Sequence, residues 1–229
     1  MPRHIVVAGL SAAGKTTLVR KLAERDGVVI VPEHNDWIGG SQNFPRAPET
    51  IDAKKEKQRF FLQLDLERHR WVESQRDARV IVSDADFTSP LAHNYSERWL
   101  VPQLDVYAWM VEQYSELLGR GAVAPADHYI YLDVDLARRE ERRTADARKR
   151  NDMFFTEPFP TRMRQFYWSL MHPESPRAAL TTLWHRHEGE VDREATLLSD
   201  AVDRIVQAPS RKVEVARLVR ILRSTISDH

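Results

Sequence analysis

Short runs of β-branched and other apolar residues alternate along the chain with longer stretches in which apolar positions recur at helical spacing. The short runs predict strands over His4–Ala8, Val28–Val31, Val80–Ser83, His128–Asp133 and Arg204–Val206. The longer stretches predict helices over Lys15–Glu24, Asp52–Glu73, Ser89–Glu97, Leu104–Leu118, Asp135–Arg148 and Lys212–Arg223. Strands that read as unbroken apolar runs are buried on both faces, which implies a parallel sheet covered by helices. Strand–helix alternation with right-handed crossovers then gives a three-layer α/β fold. One segment breaks the pattern. Met153–Thr196 is rich in aromatics and carries Pro158, Pro160, Pro173 and Pro176, and it reads as helix plus loops capping one edge of a site.

Composition narrows the picture. A chain of 229 residues with 42% hydrophobic content can bury a full core, and it reads as one domain with an inserted helical lid. Lysine plus arginine (34) balance aspartate plus glutamate (34), so no global charge points to nucleic acid or a membrane surface. Cysteine is absent, which excludes disulfides and thiolate metal sites and suits a reducing cytosol. The N-terminus lacks the apolar stretch of a signal peptide, and no apolar run approaches the ~18 residues of a membrane span. The expectation is a soluble cytoplasmic protein.

The candidate chemistry starts at Gly9-Leu-Ser-Ala-Ala-Gly-Lys-Thr-Thr17, directly after the first predicted strand and directly before the first predicted helix. This fits the phosphate-binding pattern G-x-x-x-x-G-K-[ST]. Gly9 and Gly14 allow successive N–H groups to point inward at phosphate oxygens, and the helix start adds the positive end of its dipole. Gly9, Ser11, Ala12, Ala13, Gly14, Lys15, Thr16 and Thr17 are therefore the candidate ATP contacts. Lys15 is placed to reach the β and γ phosphates, and Thr16 to offer a hydroxyl to Mg2+. A second element, Val80-Ile81-Val82-Ser83-Asp84, is an apolar strand ending in a carboxylate. In that position Asp84 is the candidate metal-side acid.

A phosphate loop serves switches, motors and transferases alike. The guanine-reading tetrapeptide Asn-Lys-x-Asp does not occur after Leu100, and no motor signature is present. A kinase needs a carboxylate near its acceptor, a cationic cover and an acceptor cavity. Glu33, just past the second strand, lies where strand C-termini gather and ligands bind. A carboxylate there can take the proton of an acceptor hydroxyl. Trp37 nearby is either core or a wall of the acceptor pocket. The arginine-rich run after the fourth strand supplies the cover, with Arg138 and Arg142 on one helical face and Arg139 and Arg143 on another. Arg148, Lys149 and Arg150 extend it, and the lid is expected over residues 135–152.

Together these stretches resemble the P-loop kinases of the nucleoside and nucleotide group, in particular thymidylate kinases and deoxynucleoside kinases. The resemblance is carried by GLSAAGKTT, VPEHNDW, VSDADFTSPLAHNYSE, YLDVDLARREERR and RIVQAPSRKVEVARLVRIL, in that order. It implies a three-layer P-loop NTPase fold with a five-stranded parallel sheet and a helical lid, whereas Met153–Thr196, read as a helical insertion in the C-terminal half, matches no part of the family pattern. It also implies Glu33 as base, Asp84 on the magnesium side and Arg138 and Arg142 in the lid. Gln207-Ala208-Pro209-Ser210 would touch adenine, and Gln58, with Phe61 or Phe60 beside it, would read the acceptor's base. A homodimer formed through helices is a further expectation.

One position departs from the family. Ser83-Asp84-Ala85-Asp86 has Ala85 where the family carries an arginine that contacts phosphate. A missing cation and an extra carboxylate favour a neutral or cationic hydroxyl acceptor over a monophosphate. Asp86 is a second candidate base, an amine ligand or a helix cap. His185-Arg186-His187-Glu188 does not have metal-ligand spacing, and the six tryptophans read mainly as core. The expected function is an ATP- and Mg2+-dependent small-molecule kinase acting on a nucleoside or nucleoside-like metabolite. A nucleoside-monophosphate kinase, a kinase of antibiotic-like hydroxyl compounds, and a non-catalytic ATP sensor are the alternatives.

Overall fold

The computed structural model describes residues 2–145, 152–186, 191–208 and 213–228. Strands β1 (Arg3–Gly9), β2 (Val28–Val31), β3 (Val80–Asp84), β4 (His128–Asp133) and β5 (Thr182–Arg186) form one all-parallel sheet in the order β2-β3-β1-β4-β5. The helices are α1 (Lys15–Ala23), α2 (His34–Trp37), α3 (Ile51–Ser74), α4 (Thr88–Glu97), α5 (Tyr107–Gly119), α6 (Leu136–Ala145), α7 (Phe159–Met171), α8 (Val191–Gln207) and α9 (Val215–Ser224). Among the described residues no helix is long and apolar enough to cross a membrane.

Alternation along the central strand divides the core. Val6 and Ala8 face one side with Tyr129 and Tyr131 of β4, under α3, α4, α5, α7 and α9. Ile5 and Val7 face the other side with Ile130 and Leu132, under Leu18, Val19 and Leu22 of α1 and Leu198 and Val202 of α8. Both faces of the sheet are thus covered, as unbroken apolar strands require. The five-stranded parallel sheet and the three layers agree with the sequence expectation.

The fifth strand does not lie where the sequence placed it. Arg204–Val206 belongs to α8, and the edge strand is Thr182–Arg186. Leu198, Val202, Ile205 and Val206 recur at helical spacing and pack on α1, so the short β-branched run is the end of an amphipathic stripe. The true strand, Thr-Leu-Trp-His-Arg, has a paired neighbour on one side, β4, and needs no unbroken apolar run. Met153–Thr196 accordingly supplies α7 and β5, together with a 3-10 turn at Asp152–Phe155. The C-terminal part of the expected lid, residues 146–151, lies outside the described residues, with Arg148, Lys149 and Arg150.

One half-buried polar pair beside the sheet sets an acid limit on stability. His4 Nε2 lies 2.8 Å from Ser83 Oγ across β1 and β3. Burial, with the charges of His69 and Arg68 and against that of Asp127, holds the imidazole down at about 4. The unfolded chain, with histidine near its ordinary 6.5, binds the proton first, so this contribution is complete above about pH 6.5 and is lost as pH falls towards 4. We expect Tm to be level at pH 7–8 and to fall below about pH 6.5. His4→Gln, which can still bond Ser83, should flatten that fall by about 1–3 kcal/mol in denaturant titrations. An unchanged pH profile in the variant would assign the acid limit to other groups.

Candidate active site

The phosphate loop is built as its glycines dictate. Gly9 has φ 144°, and a Cβ there would meet the Leu132 carbonyl oxygen at 2.8 Å, so no larger residue fits between β1 and β4. Gly14 caps α1 in the left-handed region at φ 95°. Ala12 also takes a positive φ, 62°, inside the loop. Lys15 folds back over the loop and donates from Nζ to the Leu10 carbonyl at 3.1 Å. Thr17 points to solvent, while Ala12 and Ala13 are buried.

The β1–β3 register sets Asp84 opposite Val7, two residues before the loop begins. Thr16 Oγ1 donates to Asp84 Oδ2 at 2.7 Å. Asp84 is buried, and its Oδ1 has no hydrogen-bond partner among the described residues. Burial pushes its carboxyl above the usual range; nearby Glu33 adds to this, and Lys15, Thr16 and Arg68 oppose it. A buried carboxylate with one unused oxygen and a hydroxyl beside it is a hard-oxygen set, and it fits Mg2+.

The candidate acceptor side is organised from β2 and α3. Glu33 caps α2 in an extended conformation, and its carbonyl accepts the Trp37 N–H at 2.9 Å. Its charge is felt both by Asp84 and by Tyr167 of α7. The next residue, His34, is buried and donates from Nε2 to Asp65 Oδ1 at 2.7 Å. Asp65 Oδ2 also accepts the Tyr114 hydroxyl at 2.6 Å. Burial alone would raise the Asp65 carboxyl, but His34, Arg68 and Tyr114 outweigh it and hold it below the ordinary range. Gln58 is buried, and its Oε1 has no partner among the described residues. Phe61 is half-buried against Phe44, Phe60 and His34, with ring centroids 5.2, 5.8 and 5.8 Å away. Trp37 packs edge-on against Trp71 at 5.9 Å.

At the start of the same helix, buried Lys54 pairs with Glu97 of α4, and His93 approaches the same carboxylate at 3.4 Å. Burial would raise Glu97, yet His93 and Lys54 pull it down to about 2.

Two sequence assignments need correction. Asp86 is spent locally: its Oδ1 accepts the Thr88 N–H (3.0 Å) and hydroxyl (2.7 Å), and its Oδ2 accepts the Tyr129 hydroxyl at 2.8 Å. Through Oδ1 it anchors the start of α4, the helix-cap alternative, and through Oδ2 it is tied to β4, so both oxygens are engaged. Ala208 lies at the opposite end of the sheet from the phosphate loop. Its carbonyl accepts from Arg3 at the start of β1, a strand's length of about 20 Å from Gly9. The error follows from the misplaced fifth strand. Pro209 and Ser210 lie outside the described residues, as does His187.

Of the lid arginines that the sequence named, Arg142 and Arg139 are the two that reach the loop. Arg142 reaches the Ala13 carbonyl at 3.2 Å and the Ala12 carbonyl at 3.5 Å. Its companion over the loop is Arg139, whose Nη1 lies 3.5 Å from the Ser11 carbonyl and 3.3 Å from that of Phe154. Arg139 is 2% exposed, and among the described residues its Nε has no partner and its guanidinium forms no ion pair. Burial pulls its guanidinium below its ordinary value. Arg138 sits further out and pairs with Asp135 at 3.7 Å. Arg138 and Arg139 both line a cavity of about 720 Å³ that adjoins the loop at Leu10 and is bounded by Asp133, Thr161 and Arg164. That volume suits a nucleoside-sized ligand.

Sequence reasoning named Arg139 in the cationic cover without singling it out, and it missed His34, Asp65, Arg68 and Tyr114. A signal for the α3 residues was present: Lys54, Gln58, Asp65 and Arg68 recur at helical spacing as a polar stripe among buried positions.

No family model matches the sequence, and no curated protein matches it. Solved structures do. A deoxyadenosine kinase from M. mycoides with bound dCTP superposes with a TM-score of 0.64 at 16% identity, over 88% of this chain and 99% of that one. The thymidylate kinase of Candida albicans superposes with a TM-score of 0.66 at 13% identity, over 93% and 97%. The M. mycoides enzyme with bound dATP gives 0.63 at 16% identity. The chain shares the fold of these structures, a three-layer α/β fold with a phosphate loop after its first strand.

Proposed function

We propose that this protein transfers the γ-phosphoryl group of ATP to a hydroxyl of a nucleoside or nucleoside-like small molecule. The observation that carries this reading is the convergence of the phosphate loop, the Thr16–Asp84 pair and Glu33 at the C-terminal edge of β1, β2 and β3. A nucleotide sensor needs the first two, but it has no use for a base beside them. Glu33 takes the acceptor's proton as its oxygen attacks phosphorus. Lys15, Arg139 and Arg142 neutralise the charge that spreads over the phosphoryl oxygens. Thr16 and Asp84 hold Mg2+, which when bound supplies Lewis-acid stabilisation of the phosphate charge. Gln58 supports a nucleobase in the acceptor: a buried carboxamide oxygen without a partner accepts from an exocyclic amino group.

The choice between a nucleoside and its monophosphate rests on the end of β3. Ala85 brings no cation there, and the nearest guanidinium, Arg68, turns its amino groups to backbone carbonyls and Asp65. An acceptor phosphate would find no free positive charge from either. The test is ATP consumption over a panel of nucleosides, their 5′-monophosphates, and aminoglycoside-like and amphenicol-like alcohols. Nucleosides should raise ATP loss above the basal rate and monophosphates should not. A response to monophosphates alone would overturn the acceptor assignment, and no response to any acceptor would leave the sensor reading in its place.

A further inference from the structure

The ladder between β2 and β3 ends at Val31 and Ser83, one residue short of Asp84 and two short of Glu33. Beyond that pair no β2–β3 ladder bond ties Glu33 to Asp84, which the sheet still holds through β1, opposite Val7. A single side chain from α3 links the two strand ends. Arg68 Nη2 donates to the carbonyls of Pro32 (3.1 Å), Asp84 (3.2 Å) and Ala85 (2.8 Å). Its Nη1 donates to Asp65 Oδ1 at 3.2 Å. Asp65 is itself bound by His34, the residue after Glu33, and by Tyr114 of α5. Glu33 is thereby held on both flanks, through Pro32 and His34, by the same network that holds Asp84.

The chain bends to make this contact. Ala85 adopts φ 60°, a left-handed conformation that an L-residue takes only when its surroundings impose it. In that conformation its N–H still bonds the Val7 carbonyl at 3.1 Å while its own carbonyl points at Arg68. His34, Asp65, Arg68 and Asp84 are each less than a tenth exposed, so the bonds form away from competing water. Only a planar guanidinium with its fork of donors can serve these carbonyls and the carboxylate at once; a lysine ammonium cannot span them.

We propose that Arg68 is the positioning residue of this site, setting the spacing between Glu33 on the acceptor side and Asp84 on the donor side. The proposal rests on the kinase reading for its catalytic consequence, but its binding consequence stands apart from turnover. Displacing a reacting group by about 1 Å can cost on the order of 100-fold in rate. Arg68→Met, assayed well below its own Tm, should therefore lose about 100-fold in kcat, with KM for ATP and acceptor within about threefold of wild type. ATP affinity in EDTA should be unchanged, and the gain in affinity on adding MgCl2 should shrink about tenfold as the Asp84–Ala85 end of β3 loses this anchor. Arg68→Lys should recover little of either loss.

Ala85→Gly removes the need for a strained residue, so Arg68→Met made in that background should regain stability and stay slow. This covers the case in which the single variant folds poorly. A folded Arg68→Met with kcat within about threefold of wild type would overturn the proposal, as would recovery of kcat by Ala85→Gly. If wild type phosphorylates no acceptor, the kinase reading fails on its own. The MgCl2-dependent gain in ATP affinity still decides the role of Arg68: an undiminished gain in Arg68→Met refutes it.

Discussion

Glu33→Gln is expected to bind ATP as tightly as wild type and to turn over about 100- to 10,000-fold more slowly, which corresponds to about 3–5.5 kcal/mol of transition-state stabilisation. The expectation follows from where Glu33 stands. It caps α2 through its backbone, so the substitution leaves the Glu33 carbonyl and its bond to Trp37 intact. Glu33 lies two residues past Val31, whose partner Ser83 directly precedes Asp84, and its charge helps to raise the Asp84 carboxyl. A neutral amide in its place cannot accept the acceptor's proton, and it also relieves repulsion on Asp84. Nucleotide binding should therefore hold or improve while the chemical step fails. Equilibrium binding of a fluorescent ATP analogue, alongside single-turnover rates, separates the two. Turnover within a few-fold of wild type would remove Glu33 as the base.

Arg139→Met should lose about 1,000-fold in kcat while its Tm stays level or rises. Arg139 is a buried guanidinium with long contacts to the Ser11 and Phe154 carbonyls and an unpartnered Nε. Such a group is costly to bury, and a methionine of similar length is often neutral or stabilising in its place. Arg139 lies over the phosphate loop with no ion pair among the described residues, where an incoming phosphate would supply an anion. Arg138→Met should lower kcat by no more than about fivefold, the worth of an exposed ion pair such as its contact with Asp135. Steady-state kinetics and thermal denaturation of the two variants side by side would check this. Equal losses in both, or a marked fall in Tm for Arg139→Met, would contradict the assignment.

The parts of this site that were legible in the sequence are those whose geometry is local. The loop from Gly9 to Thr17 sits between a strand and a helix that are contiguous with it, so its backbone conformation follows from its glycines. Asp84 was legible because a strand end in a parallel sheet has one direction to face. The arginines show where such reasoning stops. On a helix each residue turns about 100°, so deciding among Arg138, Arg139 and Arg142 requires knowing which way α6 faces, and periodicity does not say. Asp86 could be resolved only by Tyr129, which arrives from β4, 43 residues later in the chain. Arg68 reaches Pro32 across 36 residues and Ala85 across 17. Ala208 was lost with the fifth strand, because one misassigned element carried its following loop to the wrong end of the sheet.

The central claim is that the phosphoryl group goes to a small-molecule hydroxyl and not to water. It is tested most directly by incubating the protein with γ-labelled ATP, MgCl2 and the nucleoside panel, and separating the products. The account predicts label on a nucleoside 5′-phosphate in amounts equal to the ADP formed, and loss of that label in Glu33→Gln. ADP accompanied only by labelled inorganic phosphate, or formed equally by Glu33→Gln, would contradict it.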